Sequence, residues 1–251
     1  MPSLLPSSWS VFVIVALLGF AIGFAKGGFT GLGAVLTPLL SLVLPNVALA
    51  VGVLLPMLMV GDVFVVYSYW GEWDGRLVRQ MLPGAVVGVI FGTLLLAHLP
   101  SNVMRWALAI FTLLMVAYKF VSDTISSLRY RPHPWHNPAV GGLAGLASAM
   151  FNNGGPVLNS YLLLQKTPPR LFIANSVLFF AVLNLITLPG YLYTRVLDIP
   201  LLLSLWWVFL FIPPGIWAAQ QLVTRVKPSV FEGLIIGLLI FSSGLLIWQA
   251  R

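Results

Sequence analysis

A lysine stands inside one of the most apolar stretches of this chain: Lys26, in "GFAKGGFTGLG" (Gly23–Gly33), has five glycines around it. A buried cation can hold an anion, and a glycine-rich break in a helix frees backbone N–H groups that can do the same. A second cluster, "NNGGP" (Asn152–Pro156), offers two side-chain amides, two glycines and a proline suited to a first helical turn. The candidate anion-binding set is therefore Lys26, Gly27, Gly28, Thr30, Gly31 and Gly33 from the first cluster. The second contributes Asn152, Asn153, Gly154 and Gly155, with Asn159 one turn further on. Asp62, in "MLMVGDVFVVYSYW", is the only acid deep within an apolar block and could partner Lys26 or carry a coupling proton. Asn175 and Asn184 lie in similarly apolar surroundings and join it as coupling or gating candidates, with helix-to-helix hydrogen bonding as their alternative role.

Little else in the chain could react. It has no cysteine, which excludes thiolate chemistry, disulfides and cysteine-based metal sites. No Ser/His/Asp arrangement, zinc signature or phosphate-binding loop is present, so no enzyme activity and no cofactor is expected. His133 and His136 sit three residues apart but have no carboxylate or cysteine beside them to complete a metal site. Trp70, Trp73, Trp106, Trp135, Trp206 and Trp207 suit interfacial aromatic belts.

The elements that hold these residues are membrane helices. Hydrophobic residues make up 59% of the chain and charged residues 8%, with a mean hydropathy of +1.00; soluble domains carry roughly 25% charged residues. The net charge of +7 comes mostly from basic residues in short loops, where they orient spans rather than bind nucleic acid. The N-terminus has no basic region before its apolar run, and a cleaved signal peptide is not expected.

Apolar blocks run over about 9–44, 47–70, 78–99 and 102–121, then 139–164, 171–193, 201–223 and 230–248. The polar stretch Ser122–Pro138 divides them, giving a first repeat over 1–121, a linker over 122–138 and a second repeat over 139–251. A shift of 122 places Gly23 on Gly145, Phe29 on Phe151, Gly33 on Gly155 and Asp62 on Asn184. A shift of 128 then pairs Pro100-Ser101 with Pro228-Ser229.

After the first glycine cluster only the arm Ala34–Leu44 remains, about 16 Å of helix against a hydrocarbon core of about 30 Å. Each first block therefore reads as a re-entrant or V-shaped pair of short helices, followed by three crossings. That arrangement gathers Arg76, Arg79, Lys119, Arg129, Arg131, Lys166, Arg170, Arg225 and Lys227 on one face and leaves Arg105, Arg195 and Arg251 on the other. The asymmetry predicts an all-α polytopic membrane protein of two inverted repeats, with both termini extracytoplasmic and the linker cytoplasmic. A plain span over Trp9–Ala25, with Lys26 snorkelling to the interface, is the competing reading.

The motifs "GFAKGGFTGLGAVLTPLL", "YSYWGEWDGRLVRQMLPGAVVGVIFG", "GLAGLASAMFNNGGPVLNSYLLLQ" and "LFFAVLNLITLPGYLY" resemble the sulfite exporter TauE/SafE group of anion permeases, in order and over nearly the whole chain. The resemblance implies a cytoplasmic-membrane transporter of sulfite, an organosulfonate or another small organic anion. It marks Lys26 and the glycines after it, Gly154-Gly155-Pro156, and Asn184 near Pro189 and Tyr191. Asn152-Asn153 and Thr187 depart from the pattern, the latter standing where relatives often carry lysine. The expected function is alternating-access transport of a small sulfur-containing anion, with a passive anion channel or a permease for a non-sulfur organic anion as alternatives. The expected partners are that anion and the bilayer, with homo-oligomerisation left open.

Overall fold

The computed structural model describes residues 9–27, 31–126, 133, 135–222 and 228–250, with side chains omitted at 9–12, 14–15, 31, 119–126 and 228–232. Among the described residues the regular structure is entirely helical. Helices α1 (Trp9–Lys26) and α2 (Gly31–Val43) come first, followed by α3 (Val47–Ser68), α4 (Gly75–His98) and α5 (Ser101–Ser126). The second half begins with α6 (His136–Phe151) and α7 (Gly155–Leu164), then α8 (Pro169–Tyr193). A short α9 (Ile199–Ser204), a 3₁₀ segment (Trp206–Phe211), α10 (Ile212–Leu222) and α11 (Pro228–Gln249) complete it.

Both glycine-rich clusters interrupt helices, as expected from their sequence. With 13 and 10 residues, α2 and α7 rise about 20 and 15 Å, well short of the bilayer core. Val47–Ser68, Gly75–His98, Ser101–Tyr118 and Pro169–Tyr193 have the length and apolar composition to cross a membrane. The chain thus has the build of a polytopic membrane protein.

The boundaries differ from expectation in two places. α5 continues to Ser126, into the polar stretch, and α6 starts at His136; "SDTIS" is polar but contains no proline or glycine to stop a helix. The block over 201–223, expected as one span, is broken into three pieces. Pro213 and Pro214 have no N–H to give to carbonyls a turn earlier, so they end the helix before them and sit in the first turn of α10.

The start of α3 lies at the centre, buried from Val51 to Met57. Its Asn46 cap accepts from the Leu49 N–H at 2.7 Å, and Asp74 likewise caps α4 through Arg76 and Leu77. Two glycine-lined seams hold the bundle. In one, α4 meets α6: a Cβ on Gly88 would stand 2.0 Å from the Gly142 carbonyl oxygen, and one on Gly84 1.7 Å from that of Pro138. In the other, α1 meets α10: a Cβ on Gly23 would lie 2.1 Å from the Ile212 oxygen, and one on Gly215 2.2 Å from that of Phe20. Backbones come this close only where side chains are missing. Trp70, Trp106, Trp135 and Trp206 are exposed, whereas Trp207 is buried beside α1 and α3.

Candidate functional site

Lys26 is the last residue of α1, where a cation complements the partial negative charge of the helix end. Its stem crosses Gly61 of α3, where an added Cβ would come 3.1 Å from the Lys26 Cγ, and its ammonium donates to Asp62 Oδ1. Asn184 Nδ2, on α8, donates to the other carboxylate oxygen at 2.7 Å. Asp62 is 4% exposed and Asn184 5%, while 23% of the Lys26 side chain stays accessible. Three helices thus converge on one carboxylate. A buried ion pair remains viable when extra hydrogen bonds satisfy its spare lone pairs, and the Asn184 amide does so here. An ammonium has three donors, and Asp62 engages one of them.

Asn152 ends α6 in the left-handed conformation, with φ 52°, a geometry asparagine tolerates better than most residues. Its Nδ2 donates to the Val51 carbonyl of α3 at 2.9 Å, while its buried Oδ1 has no hydrogen-bond partner. One turn back, the Tyr191 hydroxyl donates at 2.6 Å to the Ala149 carbonyl, one of the final carbonyls of α6 that the helix itself leaves unpaired. Val51 and Asp62 are eleven positions apart on α3, about 16 Å along its axis. The structure therefore joins Lys26, Asp62 and Asn184 directly and sets Asn152 at a different level of the same helix.

The glycines divide into two kinds. Gly27 and Gly154 are packing positions, where an added Cβ would stand 2.6 Å from the Ile216 oxygen and 2.5 Å from the Ala144 oxygen. Gly33 has nothing within 4 Å of that point, and Gly155 only the Asn159 amide nitrogen at 4.0 Å. Both lie in the first turn of a short helix, where unpaired N–H groups collect, and Gly31 opens the same turn of α2. Asn153 is half-buried beside Asn152. Gly28 and Thr30 lie outside the described residues. Asn159 Oδ1 accepts from the Ser176 hydroxyl at 3.4 Å.

Asn175 does something else. Its Oδ1 accepts from the Asp74 N–H at 2.7 Å, fastening the loop between α3 and α4 to α8, and its buried Nδ2 has no hydrogen-bond partner. Beside it, Arg170 holds Glu72 through two bonds, at 2.5 and 2.6 Å. That hydrogen-bonded guanidinium, more than its charge alone, lowers the pKa of Glu72 below its ordinary value. Sequence reasoning passed over this pair because each residue stands in a polar loop or at a helix start with nothing local to link them. It also passed over Gly61, whose missing side chain makes room for the lysine stem.

Among the described residues no cluster of three His, Asp or Glu side chains could hold a metal. A sequence model of the sulfite exporter TauE/SafE family matches residues 15–246. The chain belongs to the TauE/SafE sulfite exporter family. Members of that family are transporters rather than enzymes, and this chain carries their apolar, multi-helix build. Comparison with curated proteins and with solved structures gave no match. The matched region contains Lys26, Asp62, Asn152 and Asn184 together with both helix breaks.

Proposed function

We propose that this TauE/SafE protein is a secondary transporter that moves a small sulfur-containing anion, sulfite or an organosulfonate, across the cytoplasmic membrane by alternating access. The observation that carries this is Lys26: a partly buried ammonium at the C-terminal end of α1, followed by the short helix α2 with its first N–H groups. The open ground at Gly33 and Gly155 gives an anionic head room at two such helix starts.

Inverted repeats supply the moving parts. Their support is an order of elements that recurs: a helix of 18 or 16 residues followed by a shorter one, a long helix, and two further apolar stretches, the first of these in the second half being the broken 199–222 segment. The seams recur as well, since α4 lies on α6 and α1 on α10. Asp62 and Asn184, related by the 122-residue shift, bond to each other, which is where a two-fold axis between α3 and α8 would run. In this reading the repeats span 1–121 and 139–251, the termini are extracytoplasmic and the 122–138 linker is cytoplasmic.

Proteoliposomes loaded with unlabelled sulfite test the function. Labelled sulfite should accumulate transiently by exchange, and Lys26→Met should abolish that uptake. Flux that neither saturates nor responds to anion on the opposite side assigns a channel instead. Flux unchanged in Lys26→Met removes the lysine from the site.

A further inference from the structure

The ammonium that should attract an anion already has a carboxylate partner in Asp62. With Lys26 positive and Asp62 negative, their site is neutral overall, and a monoanion brought beside them leaves an uncompensated negative charge in a setting that Asp62, at 4% exposure, shows to be nearly dry. We propose that Asp62 is the proton-binding group of this transporter, and that a substrate monoanion and the Asp62 carboxylate compete for Lys26. This rests on the anion-transport reading above and adds its coupling ion. A proton from solution bonds to an Asp62 oxygen, the carboxylic acid gives up the ammonium, and Lys26, still protonated, pairs with the anion. One proton enters with one negative charge, so the loaded site is again neutral and no electron changes hands.

The surroundings leave Asp62 to act alone. Of the helices packed on α3, α2, α9 and α10 and the 3₁₀ segment contain no ionisable side chain. α4 carries Arg76, Arg79 and His98, all exposed at its ends. α5 carries Arg105, which bonds the Pro45 carbonyl before α3 begins, and Tyr118; its side chains beyond that are outside those described. α6 has His136 at its first residue, and α8 has Arg170 on Glu72, Tyr191 on Ala149, and the exposed Tyr193. From α1 comes Lys26 itself. Asn184 can serve both states: its amide N–H donates to the carboxylate, and its carbonyl oxygen can accept from the protonated acid.

The test uses methanesulfonate, whose charge stays fixed across the pH range whereas sulfite itself binds protons, with purified full-length protein in nanodiscs. Titration calorimetry in two buffers of different ionisation heat counts the protons taken up. The wild type should take up about one proton per anion, and its affinity should rise about tenfold for each pH unit of acidification. Asp62→Asn, which imitates the protonated acid, should bind at pH 8 as tightly as the wild type does in acid and take up none. Anion binding by the wild type without proton uptake, or proton uptake that persists in Asp62→Asn, overturns the proposal and leaves anion transport standing. If neither methanesulfonate nor sulfite binds the wild type between pH 5 and pH 8, both readings fall. The wild-type proton count decides the matter even where the variant does not fold.

Discussion

Asp62 and Asn184 stand 122 residues apart in the chain and share a 2.7 Å hydrogen bond where α3 meets α8, with Lys26 on the opposite oxygen of the same carboxylate. The acid is thereby held from both sides, by a cation from α1 and an amide from α8. Removing any one of the three leaves the others with a specific deficit.

The first prediction follows from that deficit. Lys26→Met strands a buried carboxylate, a change that costs about 3–5 kcal/mol when a buried pair loses one partner. Lys26→Met combined with Asp62→Asn removes both charges and should recover most of the loss. Thermal unfolding in detergent of the wild type, both single variants and the double variant measures this coupling. A double variant no more stable than Lys26→Met would show that the pair contributes little.

Gly33 and Gly155 should separate transport from folding. An added Cβ meets nothing within 4 Å at Gly33 and only the Asn159 amide at 4.0 Å at Gly155, so Gly33→Ala and Gly155→Ala should unfold within a few degrees of the wild type. If an anion occupies that space, sulfite uptake into proteoliposomes should fall at least tenfold in both. Uptake at the wild-type rate would place the substrate elsewhere.

How much of this could be read from the residues alone depends on how local the signal was. The end of α1 at Lys26 and the helix break at 152–154 were legible, because clustered glycines and paired asparagines are out of place in apolar spans. So was the option that Asp62 partners Lys26, since each is an isolated charge in its block. The role of Gly27 was not. It sits in the dense glycine cluster, yet it also continues the four-residue spacing of Gly19 and Gly23 just past the end of α1, a row that meets the 3₁₀ segment at Gly19 and α10 at Gly23 and Gly27. The break over 201–223 was signalled by Pro213-Pro214 but hidden by the uniform hydrophobicity around them. The bond from Asn175 to Asp74 depends on how α8 docks against a loop 101 residues earlier, which no local pattern encodes.

The seam between α4 and α6 gives a contrast within one interface. Gly88→Ala places a methyl group 2.0 Å from a backbone oxygen, whereas Gly142→Ala finds its nearest neighbour at 3.4 Å. Overpacking of the first kind costs about 1–3 kcal/mol. Gly88→Ala should therefore lower the unfolding midpoint clearly, and Gly142→Ala should leave it nearly unchanged. Equal shifts in a thermal scan would refute the close approach.

Acid should loosen the clamp between Glu72 and Arg170. Because Glu72 has a lower pKa in the folded protein than its ordinary 4.5, the pair stabilises the fold above that pH and loses its effect as pH falls through the lowered value. Wild type and Glu72→Gln, compared by unfolding midpoint from pH 7 down to pH 3, should differ by a small margin at neutrality and converge in acid. A gap that widens on acidification contradicts the assignment.

The two glycine seams also bear on how the chain is made. Each ties a helix from one half to a helix from the other: α1 waits for α10, and α4 waits for α6. A first half without the second therefore leaves both glycine ridges unmated. Neither half closes either seam by itself, so a chain cut between them should hold together only when both pieces are present.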